Sequence, residues 1–92
     1  MSYAIYQIKE SKLREFGFVG YDYVIKHYGK VDLDNYEKIY ERESELANLD
    51  AIFEKFNIDR PSDFKGHSLS MSDIVELNGK MYYCDTFGWV QL

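Results

Sequence analysis

An Asn-Gly pair in the last third of the chain constrains the fold more than any other feature of the sequence. Asn78-Gly79 lies between two apolar-rich runs, 74–77 and 81–84. Asn and Gly readily adopt the two positive φ angles of a type I′ turn, which joins antiparallel strands in register. The sequence therefore predicts a β-hairpin here. A second turn is predicted at Asp85-Thr86-Phe87-Gly88, followed by a short last strand over 89–92.

Three further elements are predicted from local patterns. The segment 3–8 is aromatic, β-branched and apolar on both faces, which predicts a first strand inside the sheet. Apolar residues at helical spacing predict one helix over about 20–28 and another over about 49–57, the second beginning at Asn48 as its N-cap. Between the first strand and the first helix, Phe16, Phe18 and Val19 are expected to fill the core from a loop or short turn.

The segment 35–42 has two interpretations. Its imperfect alternation predicts a strand with Tyr36, Lys38 and Tyr40 on one face. The helical spacing of Tyr36, Ile39, Tyr40 and Glu43 is the competing interpretation, and so short a run does not decide between them.

The order of elements predicts one α+β domain covering residues 1–92. We expect a small, mostly antiparallel sheet with a C-terminal hairpin and two helices packed on one face. A chain of 92 residues is too short to build two hydrophobic cores.

The charge of the chain disfavours direct binding to nucleic acid. Eleven basic residues are scattered among sixteen acidic ones, giving a net charge of −5, which repels a phosphate backbone. Acidic residues concentrate in the middle of the chain, at Asp32, Asp34, Glu37, Glu41, Glu43, Glu45, Asp50 and Glu54. This run is expected to be a solvated face, and the alternative is a DNA mimic that occupies a nucleic-acid enzyme. No apolar stretch is long enough to span a membrane and no signal peptide opens the chain, so a cytoplasmic protein is expected.

The sequence contains the residue types of a Cys-His-acid nucleophile site, at His67, Asp73, Cys84 and Asp85. Cys84, however, lies in a predicted hairpin arm, whereas a reactive thiolate needs a stabilising site such as a helix N-terminus. Neither His is spaced for a metal, and no cofactor motif is present. We therefore expect no catalytic residues, no cofactor and no metal. A small Cys/His-dependent enzyme remains the alternative.

The motif 66–73 and the aromatic cluster that follows it are the candidate functional segments. The hydroxyls of Ser68, Ser70 and Ser72 are expected to bond backbone groups where the chain enters the sheet, and His67 and Asp73 to hold that entry. The aromatic residues that follow are either core or a partner-binding patch, since Tyr and Trp dominate interface hot spots. They are Tyr82, Tyr83, Phe87 and Trp89.

Four blocks of the chain together resemble the YodL-like domain family. They are Gly20-Tyr21-Asp22-Tyr23-Val24, Asn35 to Glu41, Phe53 to Phe64 and Gly66-His67-Ser68-Leu69-Ser70-Met71-Ser72-Asp73-Ile74-Val75, with the terminal Asp85-Thr86-Phe87-Gly88. The resemblance implies a bacterial domain that occurs alone or within large proteins of conjugative elements and phages, often beside antirestriction domains. It implies no catalytic residue and no ligand. A protein partner is therefore expected, with candidate binding residues His67, Ser68, Ser70, Asp73, Tyr83, Asp85, Phe87 and Trp89.

Overall fold

The fold is a five-stranded sheet with helices, and the computed structural model describes it over residues 2–43 and 48–92. The strands of this described part are β1 Ser2–Ile8, β2 Tyr36–Glu43, β3 Ile74–Leu77, β4 Lys80–Cys84 and β5 Trp89–Gln91. Its α-helices are α1 Leu13–Phe16, α2 Tyr21–Tyr28 and α3 Leu49–Ile58, and short 3-10 turns cover Glu10–Lys12 and Leu33–Asn35. The predicted α+β class is confirmed.

The strands run in the order β2-β1-β3-β4-β5, and each neighbouring pair is antiparallel. The first strand lies inside the sheet, as its two apolar faces predicted. Strands β2 and β5 form the two edges.

The predicted hairpin joins β3 to β4. Asn78 and Gly79 have φ angles of 53° and 80°, as a type I′ turn requires, and Leu77 pairs with Lys80 across it. The next turn joins β4 to β5, where the Asp85 N–H donates to the carbonyl of Gly88 at 3.0 Å.

The segment 36–43 is a strand, but it does not alternate as predicted. Ile5 pairs with Tyr40 and Tyr6 pairs with Lys38, which leaves Ile39 as an extra residue in a β-bulge. A bulge shifts the alternation by one residue. Tyr36 and Tyr40 therefore lie on opposite faces, and the prediction that they share one face was wrong.

The core has two layers, one on each face of the sheet. Ile52 and Phe56 of α3 are fully buried against the face that carries Ile5, whereas Val24 of α2 packs on the face that carries Ile8. We expected both helices on one face, and the structure differs. The reason lies in β1, which carries apolar side chains on both faces. Both faces of the sheet must therefore be shielded from water by a helix.

The segment before α2 also differs from its expectation. Phe16 ends a one-turn helix, and Phe16 and Val19 pack against the α2 layer as half-buried side chains. Phe18 has a φ of 62° and is 53% exposed, so it does not fill the core.

Candidate functional site

Asp73 is the centre of a buried polar network at the entry to β3. The residue is 1% exposed, and its Oδ2 accepts hydrogen bonds from Gln7 Nε2 at 3.0 Å and from the backbone N–H of Ser70 at 2.9 Å. Burial raises the pKa of Asp73 to about 7, against the opposing effect of these donors and of His67. The side chain of Asp73 therefore links β1 to the loop that leads into β3 through these two hydrogen bonds.

His67 completes this network. Its Nδ1 lies 2.7 Å from the carbonyl of Ser68, which can only accept, and 3.3 Å from Gln7 Nε2, which can only donate. The shorter contact favours the tautomer in which Nδ1 carries the proton and donates it to Ser68. Gln7 Nε2 donates to the carbonyl of His67 at 2.9 Å, and His67 Nε2 lies 3.8 Å from Asp73 Oδ1. The prediction that His67 and Asp73 bond nearby backbone groups at the strand entry is confirmed.

Gly66 permits this close packing. A Cβ atom at this position would lie 2.3 Å from both Gln7 Oε1 and Ile39 Cδ1. Such contacts are impossible without movement, so a side chain here would displace the amide that bridges His67 and Asp73.

The three serines of the motif differ in role. Ser72 Oγ accepts a hydrogen bond from the Phe18 N–H at 2.9 Å, and the Ser72 carbonyl accepts one from the Tyr36 hydroxyl at 2.6 Å. Ser68 contributes its carbonyl to His67. Ser70 Oγ is buried and has no hydrogen-bond partner within residues 2–43 and 48–92, so there its hydroxyl does not satisfy a backbone group as expected.

Two further candidate residues stabilise the segment before α2. Tyr83 is 0% exposed, and its hydroxyl donates to the carbonyl of Val19 at 2.6 Å. Asp85 Oδ1 accepts hydrogen bonds from the N–H groups of Tyr21 at 2.9 Å and Thr86 at 2.8 Å. Tyr83 and Asp73 are thus interior residues, and neither offers a surface to a partner.

Of the two remaining candidates, Trp89 lines a groove beside β5, and Phe87 lies in the adjacent β4–β5 turn without lining the groove. Phe87 is 93% exposed at the tip of the β4–β5 turn, and the half-buried Trp89 meets the Phe53 ring of α3 edge to face at 6.3 Å. The groove next to them has a volume of about 400 Å³. Its lining residues are Asp50, Phe53, Leu69, Ser70, Met71, Cys84, Asp85, Thr86, Gly88 and Trp89.

The two edges of the sheet are chemically different. Edge strand β2 carries five charged residues among its eight, Glu37, Lys38, Glu41, Arg42 and Glu43, and its bulge interrupts the ladder. Charges and bulges are the devices by which proteins protect sheet edges from pairing. Edge strand β5 reads Trp-Val-Gln and carries no charge.

The free side of β5 presents main-chain hydrogen-bonding groups. One backbone hydrogen bond runs from Asp85 N to Gly88 O at 3.0 Å, and another runs from Leu92 N to Met81 O at 2.9 Å. The residue pair Tyr83–Val90 lies between these two bonds. In an antiparallel ladder this pattern turns the N–H and C=O of Val90 toward β4 and those of Trp89 and Gln91 away from it. Among the described residues, β5 pairs with β4 alone.

Cys84 also lines the groove, but its surroundings oppose thiolate formation. The residue is 5% exposed, and burial, together with the charges of Asp73 and Asp85, raises the pKa of its thiol to about 12. Over residues 2–43 and 48–92, no group of three or more His, Cys, Asp or Glu side chains could hold a metal ion. In the same described part, no helix is long and apolar enough to cross a membrane.

Comparison with known families identifies the chain. The family model of the YodL-like domain matches residues 2–92. The chain belongs to the YodL-like domain family. No curated protein and no solved structure matches it.

The acidic run of this YodL-like domain is distributed over three elements of the fold. Its members lie in the turn before β2, along β2 and on α3, and Glu45 lies outside the described residues. Cations are interleaved with them: Lys38 pairs with Glu41 at 3.1 Å, and Arg42 pairs with Asp63. This distribution weakens the interpretation of the run as a DNA mimic.

Sequence reasoning missed Gln7 and Phe53 as parts of the site. Gln7 is a polar residue in an otherwise apolar strand, 4% exposed, and that position is the signal that a buried polar network surrounds it. Phe53 was assigned to the apolar stripe of its helix, yet it is 38% exposed at the rim of the groove. No sequence pattern indicates which member of a helical stripe lies at its margin.

Proposed function

We propose that this YodL-like domain is a non-enzymatic accessory module of a mobile genetic element that acts by protein contact, on a host-defence or conjugation component. The observation that carries the proposal is the uncharged free edge of the three-residue strand β5 beside the aromatic groove. An open edge of this kind binds an extended segment of another protein by adding a strand to the sheet.

The proposed contact has a main-chain and a side-chain part. The outward N–H and C=O groups of Trp89 and Gln91 pair with the backbone of the partner segment. Phe87, Phe53 and Trp89 supply apolar area for the partner's side chains, and aromatic residues of this kind carry much of the binding energy in interfaces.

The charge around the groove favours a basic partner segment. Asp50 and Asp85 line the groove, and no Lys or Arg is among the lining residues. Electrostatic complementarity of this kind chiefly raises the association rate and selects among partners. We therefore propose an extended segment with apolar side chains and at least one Lys or Arg.

Affinity capture with matched variants tests the proposal. The immobilised domain captures proteins from a bacterial lysate as wild type, as a Phe87→Ala/Trp89→Ala double variant, and as Ile58→Ala. Ile58 is 79% exposed at the end of α3 and does not line the groove, so it controls for the loss of exposed apolar area.

We expect at least one protein to be captured by wild type and Ile58→Ala and lost from the double variant. Equal capture by all three baits would contradict a contact at this groove. The capture should also persist at high salt, because burial of aromatic side chains is not screened by ions. Loss of all capture in high salt would favour charge mimicry instead.

A further inference from the structure

Asp73 is a buried carboxyl group without a fixed counter-charge. It is 1% exposed, and no Lys or Arg of residues 2–43 and 48–92 forms an ion pair with it. In this described part, the group placed to do so is His67, whose Nε2 lies 3.8 Å from Asp73 Oδ1 and is charged only when protonated. Burying an unpaired charge is so costly that such a group becomes neutral or finds a partner. Asp73 therefore needs a proton, either its own or one on His67.

The two side chains face each other with one proton to share. With the Nδ1 proton of His67 donated to Ser68, Nε2 of the neutral ring presents a lone pair to Asp73 Oδ1. One added proton gives either a neutral carboxyl beside a neutral ring or a carboxylate beside an imidazolium. The proton belongs to the pair in both arrangements, so the pair titrates as a unit. Its loss leaves a buried carboxylate that faces a lone pair.

The other titratable side chains that face Asp73 stay neutral at neutral pH. Tyr36 faces it from β2, and Tyr83 and Cys84 face it from β4. Burial raises the pKa of both tyrosines, and it raises the pKa of the Cys84 thiol to about 12. Burial also raises the pKa of Asp73 to about 7. A change of charge at neutral pH therefore falls on the Asp73–His67 pair.

Hydrogen bonds connect Asp73 to the wall of the groove beside β5. Its Oδ2 accepts from the Ser70 N–H at 2.9 Å, and its backbone N–H donates to the Ser70 carbonyl at 3.0 Å. The Asp73 carbonyl accepts from the Cys84 N–H at 2.8 Å. Ser70, Met71 and Cys84 all line the groove. The carboxyl that titrates is thus bonded directly to a residue of the groove wall.

The loop 66–73 is the less firmly held side of this network. On the other side, Gln7 belongs to β1, which is paired with a strand along each of its edges. The loop contains no helix or strand, and the side chain of His67 within it is 38% exposed. Water therefore reaches an ionised Asp73 by displacement of the loop. Residues 69–71 are the part of the loop that lines the groove.

We propose that the Asp73–His67 pair is a proton switch for the groove beside β5: with the shared proton bound, the loop 66–73 is closed and forms the groove wall, and when the proton leaves, the loop opens. The sign follows from linkage. The buried pair holds its proton more tightly than the hydrated pair, so the open fraction grows as the pH rises through the closed-state pKa.

The use of the switch rests on the proposed protein contact, because the partner is taken to bind the closed groove. Partner affinity should then fall as the pH rises, by at most about tenfold per pH unit, which is the limit for one proton.

Titration of the domain alone tests the switch without any partner. NMR follows the carboxyl carbon of Asp73 and the backbone amides of Ser70 and Met71 from about pH 5 to about pH 9. Trp89 is the only tryptophan of the chain and lines the groove, so its quenching by acrylamide, a neutral quencher, reports groove opening. We expect all these signals to change with one common midpoint, and the quenching to increase as the pH rises.

Three variants separate the switch from other titrations. Asp73→Asn is neutral at every pH, so the groove signals should lose their response. His67→Gln removes the ring that lowers the pKa of Asp73, so the common midpoint should move to higher pH. Asp22→Asn is the matched control, because it replaces an exposed carboxylate of α2 outside the groove lining, and it should leave the midpoint unchanged.

Groove signals that stay constant through the Asp73 midpoint, or that titrate equally in Asp73→Asn, would overturn the switch. If that variant does not fold, an unmoved midpoint in His67→Gln has the same consequence.

Affinity capture at about pH 6 and about pH 8 tests the use of the switch. Wild type should capture its partner better at the lower pH, and Asp73→Asn should capture it equally at both. A pH dependence that Asp73→Asn shares would overturn this regulation. A groove that titrates while no protein is captured would support the switch and contradict the proposed contact, so the two proposals fail separately.

Discussion

Asp85 Oδ1 lies 2.9 Å from the backbone nitrogen of Tyr21, so a carboxylate in the β4–β5 turn caps a helix that begins 64 residues earlier. The N-cap residue of that helix is Gly20, which has no side chain to do this. A carboxylate at a helix N-terminus accepts a hydrogen bond from a free backbone N–H, and its negative charge interacts favourably with the helix dipole.

We predict that Asp85→Ala lowers the free energy of unfolding by about 0.5 to 2 kcal/mol, the usual cost of losing a cap. Chemical denaturation monitored by circular dichroism measures the change. Asp85→Asn keeps an acceptor oxygen and should retain most of the stability. An alanine variant as stable as wild type would show that the bond is of no energetic consequence.

His67→Ala should lower the free energy of unfolding by about 1 to 2 kcal/mol, because the carbonyl of Ser68 loses its 2.7 Å donor. Thermal melting measures the effect, and His27→Ala, on the exposed surface of α2, is the control. An unchanged melting temperature together with loss of partner capture would contradict this role and would show that His67 contributes to partner binding instead of stability.

The stability of the domain should depend on pH through Asp73. Burial raises its folded-state pKa to about 7, above the unfolded value of about 3.9. The folded state then holds the proton more tightly than the unfolded state. The contribution of Asp73 is therefore fully present below the unfolded pKa and is lost as pH rises through the folded pKa.

Unfolding titrations at about pH 4, 6 and 8 compare wild type with Asp73→Asn, and the difference reports Asp73 together with the groups that interact with its charge, His67 first among them. The variant should show a flatter profile, since its neutral amide cannot ionise. His67, Tyr36, Tyr83 and Cys84 face the same interior and are present in both proteins. Identical profiles for the two proteins would refute a raised pKa at Asp73.

Cys84 should react slowly in the folded protein. With a thiol pKa of about 12 and 5% exposure, native labelling by iodoacetamide at neutral pH should be at least about 100-fold slower than that of glutathione. Intact-mass spectrometry follows the reaction, and unfolding in guanidinium should restore an ordinary rate. Native labelling faster than glutathione would instead support the Cys/His enzyme.

The sequence predicted the elements that depend on local signals. The Asn78-Gly79 turn, the helix that starts at Asn48 and the inner position of β1 each follow from residue types within a few positions of one another. The bulge at Ile39 has no such signal, because it arises from pairing with β1. It moved Tyr40 to the other face of the sheet.

The candidate site was predicted less completely than the fold. Its motif residues were found, but whether each is interior or exposed depends on contacts distant in sequence. Tyr83 and Phe87 are both aromatic and four residues apart, yet one is 0% and the other 93% exposed. They differ because Tyr21 of α2 packs against Tyr83, whereas Phe87 lies in the β4–β5 turn.

Capture by a Gln91→Pro bait tests the central claim, that a partner adds a strand to β5. Proline removes the outward N–H of Gln91 and leaves the bonds of Val90 to β4 intact, a substitution that edge strands tolerate. We predict that this variant melts like wild type and loses the protein that wild type captures. Undiminished capture by a folded Gln91→Pro bait would contradict the account.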